Sequence, residues 1–217
     1  MYDIHYIYIS LLSSFGFLAI DYYFPPQKKS NINYISLLNA VVTGIPSMLI
    51  LRQDNIIEYL SSTNPMEVEL IYKIPPLIVY GYSFYDFKHA IQEHKLDFLI
   101  HSLMIFVFIT IGICFNSVHV ASIVAIQEMS SIFLNIRYNN FTNILFVTSF
   151  TYYRIYLFPK LCIQYILTTP HNYFVYFFTI LGMIVNNSLN FFWYMIIFKR
   201  TCREIKEKII NPIYGML

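Results

Sequence analysis

Long apolar segments separated by short polar ones dominate the chain. Six stretches contain no Asp, Glu, Lys or Arg: Ile4–Ile20, Ser30–Leu51, Ile74–Tyr85, Phe98–Gln127, Tyr138–Tyr153 and Leu161–Phe198. Such runs predict transmembrane helices, because about 20 apolar residues span the hydrocarbon core of a bilayer. Turn signals divide the longest runs, so the pattern predicts about seven helices.

Proline, asparagine and charged residues bound the predicted helices. Pro25-Pro26 ends the first, and Pro75-Pro76 begins the third, where proline is well tolerated. Pro159 predicts a kink in the sixth. The predicted helices are Ile4–Phe24, Tyr34–Leu51, Pro75–Ala90, Phe98–Phe115, His119–Ile136, Asn143–Leu167 and Tyr173–Phe198.

Composition supports a membrane protein. Of 217 residues, 57% are hydrophobic and only 12% are charged, about half the usual charged share of a soluble domain. Mean hydropathy is +0.55. The fold class predicted is therefore an all-α membrane protein with about seven transmembrane helices. A net charge of +2 says nothing about a nucleic-acid partner, and none is expected. Three widely spaced cysteines predict neither a disulfide framework nor a zinc site.

The N-terminal segment lacks a basic region and a small-residue cleavage site, so residues 1–30 are predicted as a transmembrane helix and linker. Residues 31–205 form the predicted main domain, and residues 206–217 form a cytosolic tail. With the N-terminus outside, only Arg52 and Lys73 lie in outer loops, which favours a cytosolic C-terminus. The inner side then carries Lys28, Lys29, Lys88, Lys95, Arg137, Lys199, Arg200, Arg203, Lys206 and Lys208. If the first helix is cleaved or interfacial, six spans remain with the same orientation.

Ionisable residues inside predicted helices are candidates for a buried site, because charges at membrane depth face the protein interior. Counting residues from the predicted turns places Glu128 and Arg154 near the membrane midplane. We predict that they pair; the alternative is that each is neutralised or hydrated separately. The residues predicted to line a buried polar or lipid cavity are Asp86, Glu128, Asn135, Arg154 and Asn190.

Two spacings suggest further polar faces. Asp97 and His101 are four residues apart, and a carboxylate that orients a histidine is a general-base arrangement. The same spacing also suits an ordinary pair at a helix start. Tyr82, Asp86 and His89 share a face of the third helix. No G-x-S-x-G, P-loop, G-x-G-x-x-G or H-E-x-x-H motif occurs.

Six segments in order resemble the TLC domain, the multi-span membrane family that includes the ceramide synthases. "GYSFYDF" (81–87) is similar to its Gly-Tyr-aromatic-x-Tyr-Asp element, and "LDFLIHSLMIF" (96–106) to its histidine helix. "IQEMSSIFLNIRY" (126–138) resembles its Glu-x-Ser-x-x-Phe-Leu-Asn-x-Arg element. "YISLLNAVVTG", "TYYRIYLFP" and "LNFFWYMIIFKR" resemble its opening and last two helices. The resemblance implies a six-helix core preceded by one additional helix.

Ceramide synthases of this family join an acyl-CoA to a sphingoid amine, using a His-His pair, a His-Asp pair and a second Asp. His101 matches the first histidine, and Glu128 matches the first Asp as a carboxylate. The other three positions carry replacements: Ser102, Gln127 and Ser131. Asn39 also replaces a histidine that is common in the opening helix. The resemblance therefore implies the non-synthase branch. The short, AT-rich type of sequence also resembles a viral or protist member.

Two functions follow as expectations. The first is a multi-pass protein of lipid handling, which binds, senses or moves lipids or controls membrane lipid composition, with a membrane lipid or fatty-acyl chain as its partner. The second is an acyl-CoA-dependent sphingoid-base N-acyltransferase with His101 as base, aided by Asp97 or Glu128. Acyl-CoA is then a co-substrate, and no other cofactor is expected. An endomembrane or host membrane is expected; the organelle and homo-oligomerisation stay open. The sequence contains neither an internal two-fold repeat nor a pair of helices broken by Gly or Pro. Both features are typical of transporters, so a transporter is not favoured.

Overall fold

The computed structural model describes residues 4–23, 33–52, 70–115, 117–136, 140–168 and 173–206, and every regular element in these ranges is helical. Seven helices form this part of the chain, in agreement with the predicted all-α membrane fold. They are α1 (Ile4–Tyr23), α2 (Tyr34–Ile50), α3 (Ile74–Gln92), α4 (Leu96–Cys114), α5 (Val118–Asn135), α6 (140–168) and α7 (Tyr173–Ile205). A short 3₁₀ turn, Leu70–Tyr72, precedes α3. Lys28, Lys29, Arg137 and Lys208, on which the orientation prediction partly rests, lie outside the described residues.

Three of the described helices are long and apolar enough to cross a membrane, namely α4, α5 and the Tyr176–Glu204 part of α7. Only 17% of the α4 segment and 11% of the α7 segment are buried, against 56% of α5. The apolar surfaces of α4 and α7 are therefore largely exposed, as expected for helices that face lipid, whereas α5 is a central helix of the bundle. Membrane crossing by the remaining helices stays a prediction.

Two helices contain π-helical stretches that precede a proline. In α2 the stretch is Ala40–Gly44 and Pro46 follows; in α6 it is Thr151–Leu157 and Pro159 follows. Proline lacks an N–H donor, and its ring clashes with the carbonyl four residues earlier. A wider turn before the proline relieves that clash while the helix continues. The irregularity predicted at Pro159 is thus a π-helical stretch before it, and α6 runs on through Pro159 to Thr168.

The central helix α5 is interrupted, contrary to the continuous helix predicted from His119 to Ile136. A turn at Ile126–Gln127 separates the helical segment Ser122–Ala125 from Glu128–Asn135. Hydrogen bonds between residues i and i+3 replace the i to i+4 hydrogen bonds of an α-helix here. The amide nitrogen of Met129, for example, donates to the backbone oxygen of Ile126 at 3.1 Å. Glu128 therefore lies in the first turn of a new helical segment, where a negative charge is favourable.

A glycine lets α2 approach this restarted segment closely. Gly44 lies at the end of the first π-helical stretch and is buried. A Cβ atom there would lie 2.8 Å from the backbone nitrogen of Met129 and 3.0 Å from the carbonyl carbon of Glu128. Both atoms are backbone, so a side chain at position 44 must push the helices apart. The contact fixes the height of Glu128 against α2.

We predict that Gly44→Ala lowers the free energy of unfolding by about 1–3 kcal/mol, because the added methyl group overpacks a backbone contact. Gly16→Ala is the matched control, since a Cβ at Gly16 has nothing within 4 Å, and it should be neutral or stabilise by up to about 1 kcal/mol through helix propensity. Detergent-denaturation titrations followed by circular dichroism measure both. Equal effects of the two substitutions would contradict the close contact at Gly44.

Candidate functional site

Helices α2 to α7 line a partly open cavity of about 290 Å³. Its lining combines charged, hydroxyl, amide, aromatic and aliphatic side chains: Ser36, Tyr82, Asp86, Phe98, His101, Glu128, Ser130, Ser131, Leu134, Asn135, Phe146, Phe150, Arg154, Trp193, Ile196, Ile197 and Arg200. Four of the five residues predicted for a buried polar cavity are among them: Asp86, Glu128, Asn135 and Arg154. The fifth, Asn190, is fully buried beside it and bonds Arg154.

Arg154 is the centre of the polar network. Its side chain projects from the π-helical stretch of α6, and the residue as a whole is 6% exposed. Nε donates to Oγ of Ser130 at 2.7 Å, Nη2 to Oγ of Ser131 at 2.9 Å, and Nη1 to Oδ1 of Asn190 at 3.3 Å. The guanidinium also lies 5.2 Å from the ring centroid of Phe150. A buried cation needs such partners, because its desolvation is costly.

The predicted pairing of Glu128 with Arg154 is confirmed, but the contact is long. Oε1 of Glu128 lies 3.9 Å from Nη2 of Arg154, and the two side chains are 14% and 7% exposed. Oε2 of Glu128 accepts a hydrogen bond of 3.4 Å from Nδ2 of Asn39. The carboxylate of Glu128 thus balances the charge of Arg154, while neutral side chains accept the hydrogen bonds that Arg154 donates.

Further hydrogen bonds from α5 and α7 support this network. Nδ2 of Asn190 donates to Oε1 of Gln127 at 2.6 Å, and both residues are buried. Asn190 therefore links the turn in α5 to Arg154 through α7. Asn135 donates to the backbone oxygen of Ser131 at 2.8 Å, which orders the end of the same helical segment. The polar side chains of α5 are thus largely committed to holding Arg154 and one another.

His101 lines the cavity together with Asp86 and Glu128, but Asp97 has a different neighbour. Oδ2 of Asp97 accepts a hydrogen bond of 2.7 Å from the indole Nε1 of Trp193. The ring of His101 packs edge-on against Trp193 at a centroid distance of 5.1 Å. The catalytic role predicted for His101, Glu128 and Asp97 stays a prediction. Trp193 thus contacts both Asp97 and His101, the two residues predicted to form a pair.

Tyr82, Asp86 and His89, which were predicted to share one helix face, lie in two different places. Tyr82 and Asp86 line the cavity, and the hydroxyl of Tyr82 shares a hydrogen bond of 2.7 Å with Oγ of Ser36. His89 instead lies 3.4 Å from Oδ1 of Asp21, a residue that sequence reasoning missed. The signal available for Asp21 was a carboxylate in an otherwise uncharged helix. Among the described residues, no group of three His, Cys, Asp or Glu side chains could hold a metal ion.

Because three neutral side chains hold Arg154 at short range, we expect its loss to cost more than loss of the Glu128 charge. Arg154→Met leaves Ser130, Ser131 and Asn190 without their partner and should lower the free energy of unfolding by about 3–5 kcal/mol. Glu128→Gln retains an acceptor for Asn39 and should cost about 1 kcal/mol. Detergent denaturation of the purified variants measures both values. A larger cost for Glu128→Gln would show that the ion pair dominates.

The family model of the TLC domain matches residues 29–199. No curated protein and no solved structure matches the chain significantly. The matched range contains the described helices α2 to α6 and most of α7, and hence every residue that lines the cavity except Arg200. A match over most of the chain agrees with the all-helical membrane bundle and indicates a lipid-related function. The chain is a membrane protein that belongs to the TLC-domain family.

Proposed function

We propose that this protein binds a membrane lipid or fatty-acyl ligand by its polar headgroup in the cavity between α2 and α7, and acts in lipid handling. Such handling comprises binding, sensing, transport or control of membrane lipid composition. The amphipathic lining of the cavity is the observation that carries the proposal. The volume of about 290 Å³ lies at the lower end of small-molecule sites, which are roughly 300–1,000 Å³, and suits a headgroup with the first part of its chain.

The chemistry of the lining matches a lipid headgroup. Asp86, Glu128, Arg154 and Arg200 supply charges of both signs, and apolar side chains such as Leu134 and Ile197 complete the wall. A guanidinium has five N–H donors, and the structure assigns three of those of Arg154 to protein acceptors. The remaining donors suit the oxygen atoms of a headgroup.

The replaced positions support binding in preference to catalysis. Ser102 donates to the backbone oxygens of Phe98 and Leu99 within its own helix. Gln127 accepts from Asn190, and Ser131 accepts from Arg154. Each side chain at these positions is thus used in an internal hydrogen bond. A proton-transfer group must instead reach the reacting atom of a substrate.

One observation favours the acyltransferase alternative. His101 and two carboxylates, Asp86 and Glu128, line the same cavity, which is the arrangement that a general base requires. In that reaction His101 takes a proton from the sphingoid amine as the amine attacks the thioester carbonyl of acyl-CoA. The carbon–sulfur bond then breaks, and CoA leaves as a thiolate that receives the proton from His101. We rank this function second because Asp97 is bonded to Trp193.

The membrane orientation is part of the proposal. α7 has 33 residues, which corresponds to about 50 Å at 1.5 Å per residue, whereas the hydrocarbon core is about 30 Å thick. Its last turns carry Lys199, Arg200 and Arg203, and Lys206 follows directly; these residues favour the cytosolic side. We therefore propose a cytosolic C-terminus, in an endomembrane or host membrane, and leave homo-oligomerisation to experiment.

Lipid binding can be followed through Trp193, the single tryptophan of the chain, because it lines the cavity. We predict that stearic acid with a nitroxide close to its carboxyl group quenches Trp193 fluorescence saturably in nanodiscs. Labelled stearic acid that is dissolved in the bilayer and not bound to the protein should add only quenching that rises linearly with its concentration. Competition by unlabelled lipids with different headgroups then ranks the ligands. Linear quenching alone would contradict the proposed function.

Ile197→Phe should weaken this binding about tenfold, equal to about 1.4 kcal/mol, because it fills part of the cavity that Ile197 lines. Ile184→Phe is the matched control on the same helix, since Ile184 is 59% exposed and does not line the cavity. It should leave the saturable component unchanged. Equal affinities for both variants would place the bound probe elsewhere.

The two functions are separated by incubating the purified protein with an acyl-CoA and a sphingoid base. We predict no His101-dependent release of CoA, measured by mass spectrometry for wild type and His101→Ala. His94→Asn is the control, because His94 is exposed in the α3–α4 turn and has a φ of 53°, which asparagine tolerates. CoA release that only His101→Ala abolishes would establish the acyltransferase.

A further inference from the structure

The first helix lies outside the segment that matches the TLC domain. The match begins at residue 29, whereas α1 spans Ile4–Tyr23. One stripe of α1 is nevertheless buried at helical spacing: Tyr6, Ser10, Phe17 and Asp21 are each 8% exposed or less. The residues between them, such as Leu12 and Phe15, are largely exposed. α1 is therefore docked on the bundle through one specific face.

The partner of this face is α3, the helix that carries Tyr82 and Asp86. Oγ of Ser13 donates to the backbone oxygen of Ile78 at 3.0 Å. Gly81 permits this approach, because a Cβ there would lie 2.7 Å from the backbone nitrogen of Ser14. Small residues at such positions let membrane helices pack closely. The contact at Gly81 directly precedes the cavity residue Tyr82 in the chain.

The contact continues to the cavity wall. The ring of Phe17 packs edge-on against Tyr82 with centroids 5.2 Å apart. Tyr82 lines the cavity, bonds Ser36 at 2.7 Å and precedes Asp86 by one helical turn. Phe17 thus packs against the aromatic ring of a residue that lines the cavity.

An ion cluster fixes the end of α1 on the same helix. Oδ2 of Asp21 lies 2.5 Å from Nζ of Lys88, and Oδ1 lies 3.4 Å from Nε2 of His89. Asp21 is 8% exposed, whereas Lys88 is 43% exposed. The carboxylate is thus held between two side chains of α3 one turn beyond Phe17. Rotation of α1 that would withdraw Phe17 has to break this pair.

We propose that α1, although outside the matched domain, is part of the lipid site, and that Phe17 is a positioning residue that holds Tyr82, and through it Asp86, at the cavity wall. The proposal rests on the proposed function for the nature of the ligand. Its structural basis, the packing of Phe17 against Tyr82, is independent of the ligand. Asp21 fixes the rotation of α1 that this packing requires.

The experiment compares Phe17→Leu with Phe15→Leu in the full-length protein, which is the same chemical change on opposite faces of α1. Affinity for the nitroxide-labelled stearic acid is measured by Trp193 quenching. Because an aromatic pair contributes about 0.5–1.5 kcal/mol, Phe17→Leu should weaken binding about three- to tenfold. Phe15→Leu should leave the affinity unchanged, and Phe17→Tyr, which retains the ring, should restore it.

A second measurement does not depend on the lipid. Ser36→Cys is introduced into protein in which Cys114, Cys162 and Cys202 are replaced, and its reaction with a small methanethiosulfonate is timed. Displacement of Tyr82 should make this reaction about three- to tenfold faster in Phe17→Leu and leave it unchanged in Phe15→Leu. Unchanged affinity or unchanged labelling in Phe17→Leu overturns the inference. If wild type shows no saturable quenching, the proposed function fails, and the labelling rates alone decide whether Phe17 positions Tyr82.

Discussion

The buried guanidinium of Arg154 is the constraint on which the rest of the bundle depends. A cation in the interior of a membrane protein has to be surrounded by hydrogen-bond acceptors, because no bulk water is available to solvate it. Ser130 and Ser131 from α5 and Asn190 from α7 meet that requirement. The need to hold one charge therefore ties three helices together at a fixed height, where apolar packing alone would allow them to slide.

The irregular backbone around Arg154 has a physical cause in the positions of two prolines. The π-helical stretches of α2 and α6 each end two residues before a proline, and both lie against or within the polar network. Such stretches are frequent at functional sites, because an additional residue in the turn changes which side chains face inward. In α6 the stretch contains Arg154 itself. In α2 it follows Asn39 directly and ends at Gly44, whose missing side chain allows the backbone contact with Glu128 and Met129.

Much of the fold could be predicted from the sequence because charge-free runs and helix-ending residues are local signals. The proximity of Glu128 and Arg154 followed from their equal depth, which is simple helix geometry. The interruption of α5 could not be predicted, because nothing local distinguishes Ile126 and Gln127 from helical residues. The pairing of Asp97 with Trp193 joins residues 96 positions apart, whereas spacing rules relate only neighbours on one helix. The partners of Asp21, Lys88 and His89, likewise lie on another helix.

The substitutions relative to the family's synthases alter the charge balance of the cavity. A carboxylate at the position of Ser131 would pair with Arg154 and consume its charge, whereas a hydroxyl accepts one hydrogen bond and leaves the charge in place. Glu128, at 3.9 Å, balances it only at a distance. A guanidinium that faces an amphipathic cavity supports the proposal of an oxygen-rich ligand such as a lipid headgroup. Three of the positions at which the synthases carry His or Asp thus hold neutral side chains, Ser102, Gln127 and Ser131. This supports the proposal that the site recognises a polar group attached to an apolar chain.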